Sequence, residues 1–203
     1  MKKGLNKLKN KDFYTEYMQV FLKQNSFLNL ISKNDEKYLW EKHVFDSLAF
    51  EKFVNKYGMC QNLLDIGTGG GFPSVIIALT YPDINVVALD SIRKKINAIE
   101  NIKAELKINN LSTICDRAEN LTDKFDVITS RAVASLDKIS SYALPLLNNG
   151  GYFIAYKSKK TDEEILSANK ILKKFNSKII DIINYQLPLE ENFTRNLIII
   201  KKN

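Results

Sequence analysis

A chain of 203 residues, 45% apolar and 26% charged, is long enough for one domain with a sizeable core and has the composition of a soluble globular protein. That excludes a disordered chain, a collagen-like repeat and a disulfide-stapled miniprotein; two cysteines and one histidine leave no conventional zinc ligand set, and no apolar run reaches membrane-span length. The net charge of +7 suits a polyanionic partner, and 26 lysines against four arginines (Arg93, Arg117, Arg131 and Arg195) reserve arginine for places where forked hydrogen bonding matters.

Residues 1–11 carry Lys2, Lys3, Lys7, Lys9 and Lys11 and no acid. A solvated tail is preferred here over an RNA-contacting arm. The stretch lacks the apolar core of a signal peptide, so a reducing, cytoplasmic location is expected. From Asp12, which can cap, Phe13, Tyr17, Val20 and Phe21 recur at helical spacing. A second helix is predicted from about Asp35 to Lys56, with Leu39, Trp40, Val44, Leu48 and Phe53 as its apolar stripe and Gly58 as its end. On it His43, Asp46 and Ser47 share one face at i, i+3 and i+4. After Gly58 strands and helices alternate. Strands are predicted at Leu63–Ile66, Asn85–Leu89, Thr113–Cys115, Phe125–Thr129, Tyr152–Tyr156, Ile179–Ile183 and Leu197–Ile200. Helices are predicted at Pro73–Thr80, Ser91–Lys107, Leu136–Leu147 and Asp162–Phe175. This grammar predicts an α/β fold: a mostly parallel seven-stranded sheet with helices on both faces. Residues 1–57 form a helical N-terminal extension and residues 58–203 the main domain. The last two strands, joined through Pro188 with no helix between, are expected to be antiparallel neighbours.

Four of the eight glycines lie between Gly67 and Gly71, after an apolar strand carrying Asp65 and before a helix with Pro73 in its first turn. Such a loop lets backbone N–H groups approach a ligand at the strand's C-terminal edge. The third glycine of a dinucleotide fingerprint is displaced, with Phe72 in its slot, and the Gly-Lys-Ser/Thr of a phosphate loop is absent. The spacing Asp65-x-Gly67-x-Gly69-x-Gly71 instead matches the first motif of S-adenosylmethionine methyltransferases, where an acid ahead of the glycines suits a cationic methionine end. Asp90, ending the next strand, can accept both ribose hydroxyls, and Ser91 after it is a good N-cap. Asp126 reads as a turn acid, and Cys60 and Cys115 as packed thiols.

Five strings occur in order: His43-Val-Phe-Asp-Ser-Leu48, Leu64-Asp-Ile-Gly-Thr-Gly-Gly-Gly-Phe-Pro73, Leu89-Asp-Ser91, Ser130-Arg-Ala-Val-Ala-Ser-Leu136 and Ala155-Tyr-Lys157. Together they closely resemble the bacterial RsmG family, the 16S rRNA guanine-N7 methyltransferases also called glucose-inhibited division protein B, over roughly residues 25–203. The resemblance implies a Rossmann-like class I fold, S-adenosylmethionine as cofactor, and cofactor contacts from Gly67, Phe72, Ala118, Glu119 and Arg131. It implies N7 methylation of guanine 527 in the 530 loop, with 16S rRNA or the small ribosomal subunit or its precursor as partner, no membrane and no metal; a monomer is expected. The family's Gly-Pro-Gly reads Gly69-Gly70-Gly71 here, and its Lys-Gly after strand five reads Lys157-Ser158.

Guanine N7 has a free lone pair, so its methylation needs alignment and desolvation rather than a general base. Arg131 is the first residue singled out, for cofactor contact or for guanine O6, with an ion pair holding the next helix as its structural alternative. His43, with its patch, is placed near the cofactor or RNA entrance, against a purely structural role. Lys157 is placed against RNA phosphate or base, against a solvated basic turn with Lys159 and Lys160. Arg195 is read as an RNA contact or a bridge at the sheet edge. A methyltransferase for a small molecule or protein is the alternative enzyme, and an RNA-binding module without turnover the non-enzymatic one.

Overall fold

The computed structural model of the protein describes residues 11–158, 162–189 and 193–203. The basic tail before Lys11 and the turn at Lys159 and Lys160 lie outside them. Seven runs rich in Val, Ile and Leu form β1 (Asn62–Ile66), β2 (Asn85–Leu89), β3 (Leu111–Ile114), β4 (Phe125–Arg131), β5 (Leu147–Lys157), β6 (Ser177–Gln186) and β7 (Thr194–Lys202). Their order is β3-β2-β1-β4-β5-β7-β6. The first five are parallel, and β7 runs antiparallel to both β5 and β6. The expected antiparallel pair is thus present, with β7 placed inside the sheet and β6 at its edge.

The helices are α1 (Thr15–Leu28), α2 (Lys33–Glu36), α3 (Phe45–Leu48), α4 (Phe50–Tyr57), α5 (Ser74–Thr80), α6 (Arg93–Glu105), α7 (Leu136–Ala143) and α8 (Asp162–Lys174). Strand side chains alternate between two apolar layers. Leu63, Val127, Ile154 and Ile199 pack with α1, α4, α5 and α6, whereas Leu64, Ile128, Phe153 and Ile198 pack with α7 and α8. Tyr17, Phe21, Phe50 and Phe53 of the N-terminal extension are fully buried in the first layer. Each such side chain contributes about 1.5–3 kcal/mol, so the extension is part of the core that supports the glycine loop.

Four local expectations are corrected. Asp12 lies inside a 3-10 turn, Lys11–Tyr14, and α1 begins after Tyr14 without a side-chain cap. Ser91 does not cap α6; the cap position is Ile92, whose N–H donates to the Asp90 carboxylate (2.9 Å). The helix expected from Leu136 to Leu147 ends at Ala143, because Pro145 has no N–H to continue the ladder; a 3-10 turn, Leu144–Leu146, leads into β5. The helix expected from Asp35 to Lys56 is broken into α2, a wide π-helical turn over Leu39–Val44, α3 and α4. Arg131 donates from Nη1 to the Lys42 carbonyl within that turn (3.1 Å), an insertion of the kind that opens a helical ladder. Gly58 ends α4 at φ +90°, as expected.

Candidate active site

The five parallel strands bring their C-terminal ends to one edge, the usual ligand crevice of open α/β sheets. There β1 leaves the sheet at Ile66 and turns through the glycines into α5. The N–H groups of Gly67 and Thr68 both donate to the Leu89 carbonyl (2.8 and 2.9 Å), tying this turn to the end of β2. Gly67, Gly69 and Gly71 all have positive φ, at +72°, +58° and +91°. A Cβ at Gly71 would lie 2.5 Å from Val75, and one at Gly67 would collide with Val133. At Gly69 the nearest atom to such a Cβ is 3.9 Å away, so packing leaves it open and backbone conformation alone selects glycine.

Two carboxylates brace the turn differently. Asp65 is fully buried; it accepts from the Thr129 hydroxyl (2.8 Å) and faces the Ser74 N–H (3.4 Å). Burial pushes its carboxyl up to about 6, against the hydrogen bonds of Thr129, Thr68 and Ser74 and the charge of Arg131. Asp65 therefore acts on the crevice through the loop it holds. Asp90 sits at the crevice edge and accepts from the N–H groups of Gly69 (3.0 Å) and Ile92 (2.9 Å), with Lys95 at 3.7 Å.

Beside Gly67 and Asp90 lies a cavity of about 480 Å³, also lined by Ala118 and Glu119, which the 3-10 turn after β3 supplies. Glycine backbone, a carboxylate at the end of β2 and this volume fit the nucleoside end of S-adenosylmethionine. A second cavity, of about 690 Å³, opens beside His43, Arg131, Lys157 and Arg195. Ala132, Val133 and Ala134 line both cavities. This strip leaves β4 with Ala132 in the left-handed region (φ +57°). The Ser130 hydroxyl donates to the Ile66 carbonyl (3.0 Å) at one end, and Lys157 donates to the Ala134 carbonyl (2.6 Å) at the other.

Arg131 faces the second cavity with its fork already engaged. Nη1 donates to the Lys42 carbonyl (3.1 Å) and the Asp46 carboxylate (2.9 Å), and Nη2 donates to His43 Nδ1 (2.9 Å). The guanidinium lies over the Phe72 ring, 5.2 Å from its centre. Phe72 is itself buried against Tyr17, Phe21 and His43. Burial, then the charge of Arg131, pushes His43 down to about 3, so its ring is neutral. Because Arg131 can only donate, the ring proton sits on Nε2, which is buried without a partner among the described residues. Lys157 pairs with Glu164 (2.6 Å), and Lys42 with Asp35 (2.7 Å). Arg195 faces the same cavity with Nε buried and without a partner among the described residues.

The predicted residues therefore divide into two groups. Gly67, Gly69, Asp90, Ala118 and Glu119 gather at the first cavity or its loop, and His43, Arg131, Lys157 and Arg195 at the second. Asp65, Gly71 and Phe72 lie beneath the loop. Asp126 accepts from the Asn62 N–H (3.0 Å) and Asn148 (2.9 Å), a strand tie away from this edge. Cys60 and Cys115 are free and pack against the first apolar layer, and burial pushes Cys60 up to about 12. Sequence reasoning missed Glu164 and Tyr185. Neither stands in a motif; topology brings each to the site from far along the chain.

Residues 10–194 match the family described as rRNA small subunit methyltransferase G. The chain belongs to this family. It is 36% identical to the ribosomal RNA small subunit methyltransferase G of Bacillus licheniformis, over 93% of this chain and 81% of that protein. It is 37% identical to the protein of the same name from Lachnoclostridium phytofermentans, over 92% and 78%. In fold it is similar to magnesium protoporphyrin IX methyltransferase from Synechocystis, solved with bound S-adenosylmethionine (TM-score 0.64, 16% identity, 95% of each chain). It is also similar to an rRNA methylase from Streptococcus thermophilus (TM-score 0.50, 18% identity, 70% of this chain and 86% of that one). These likenesses match the α/β sheet expected from the alternation of elements and the class I methyltransferase fold implied by the resemblance.

Proposed function

We propose that the protein transfers a methyl group from S-adenosylmethionine to N7 of guanine 527 in the 530 loop of 16S rRNA. The observation that carries this reading is the pair of cavities meeting across Ala132–Ala134, one walled by glycine backbone and Asp90, the other by basic and aromatic side chains. Gly67, Gly69, Asp90, Ala118 and Glu119 hold the donor. Bound there, S-adenosylmethionine would supply its sulfonium methyl; the N7–carbon bond would form in line as the carbon–sulfur bond breaks, leaving a neutral thioether and a positively charged base.

The protein's part is alignment and exclusion of water. N7 attacks with a lone pair that carries no proton, and His43, neutral with its proton fixed on Nε2, has no proton step to perform. Lys42, Arg131 and Lys157 are each paired with a carboxylate. Three of the four cations that line the second cavity are thus offset, which lowers its opposition to the positive charge that the base acquires. The working partner is the small ribosomal subunit or its precursor, met by a monomer in the cytoplasm. The test is mass spectrometry of 16S rRNA from cells lacking the protein: 7-methylguanosine in the 530 loop should disappear. Its persistence at the normal level would refute the assignment.

A further inference from the structure

We infer that Tyr185 is a positioning residue for Arg131, acting through the carboxylate of Asp46; the inference rests on the methyl-transfer function proposed for the site. A guanidinium is a planar fork, so its direction is set by its acceptors. Two acceptors of Arg131, the Lys42 carbonyl and His43 Nδ1, belong to the wide turn of the extension. The third is Asp46, which is 3% exposed. Its Oδ2 receives Arg131 Nη1 (2.9 Å) and its Oδ1 receives the Tyr185 hydroxyl (2.6 Å). With both oxygens engaged, the carboxylate cannot rotate, and it holds the fork in one plane. Without the hydroxyl, Oδ1 loses its partner and Asp46 can turn about its side-chain bond.

Tyr185 reaches this place from β6, 139 positions along the chain from Asp46. Tyr156 on β5 braces the neighbouring residue by donating to the Ser47 carbonyl (3.2 Å). Burial pushes both phenols well above their ordinary range, so both remain donors at any working pH. If the Tyr185 ring served packing alone, removing only its oxygen would leave the site as it was.

The protein contains one histidine, so His43 gives a single imidazole signal in nitrogen NMR. The charged groups around that ring are Asp35, Lys42, Arg131 and Arg195. Tyr185→Phe touches none of them directly and reaches the ring only through Asp46 and Arg131. We expect it to move the Nδ1 resonance toward that of an imidazole nitrogen without a donor, with no RNA present. Its kcat should fall about tenfold while KM for S-adenosylmethionine stays within about twofold. Asp46→Asn should move the same resonance further, and it supplies the same readout if Tyr185→Phe does not fold. In an Arg131→Lys background, Tyr185→Phe should cost less than about twofold, because the fork it positions is gone. An unmoved imidazole signal in folded Tyr185→Phe, or equal losses in the two backgrounds, would overturn the relay. A moved signal in a protein whose wild type methylates no ribosomal RNA would sink the proposed function and leave the Tyr185–Asp46–Arg131 contact standing.

Discussion

The two cavities differ in what builds them. The one beside Gly67 and Asp90 is built around the glycine turn and the end of β2, and is completed by the turn at Ala118, the strip Ala132–Ala134 and α7. The one beside Arg131 draws its walls from the wide turn near His43, the ends of β4 and β5, α8, the segment after β6 and the start of β7. A ligand held by backbone needs glycines at fixed spacing, which a sequence displays. A ligand held by side chains needs only that distant segments meet, which a sequence hides. If the first cavity serves the donor and the second the acceptor, substitutions on the two sides should separate donor affinity from transfer.

The largest separation is expected at Arg131. Arg131→Ala should lower transfer by about a hundredfold or more and weaken S-adenosylhomocysteine binding far less, as measured by single-turnover kinetics and calorimetry. It should also lower the melting temperature, because Asp46 would stay buried without its cation. Gly67→Ala should do the reverse of the kinetic effect. A Cβ there meets Val133 at positive φ, so donor affinity should fall by about tenfold or more, while transfer at saturating donor stays closer to normal. Equal effects of both substitutions on both measurements would erase the division between the cavities. A smaller effect is expected at the strip between them. Lys157→Met frees the Ala134 carbonyl and leaves Glu164 without its cation, and transfer should fall about fivefold with donor affinity little changed.

The last effect concerns stability and leaves the division between the cavities untouched. Asp65 keeps its proton up to about pH 6 in the folded protein, against 3.8 for an ordinary aspartate. Raising the pH across that interval deprotonates the unfolded chain first, so folding loses stability as pH rises, on the order of 2–3 kcal/mol from this group. Asp65→Asn should flatten that part of the denaturation-versus-pH curve. A slope unchanged from wild type would show that Asp65 ionises normally within the fold.

The sheet was legible because strands buried on both faces read as continuous apolar runs punctuated by helices, and six of the seven predicted strands lie inside the observed ones. Boundaries slipped where tertiary contacts outweighed local preference. Arg131 opens the helix around Lys42, the cap position of α6 falls on Ile92 instead of Ser91, and Pro145 cuts α7 short. The glycine loop and Asp90 were legible as a nucleoside site for the reason given above. Arg131 was legible as important from its rarity and its string, yet its partner Lys42 and the partner of Asp46, Tyr185, were not. One contributes a backbone carbonyl, which carries no residue identity, and the other lies in a strand whose neighbours only the folded topology supplies.

The neutral, pinned imidazole of His43 has a consequence for the rate. With no ionisable group at the second cavity exchanging a proton during methyl transfer, heavy water has nothing to slow. The solvent isotope effect on the chemical step should be close to unity, and an isotope-labelled methyl carbon, whose bond to sulfur breaks, should carry the kinetic signature instead.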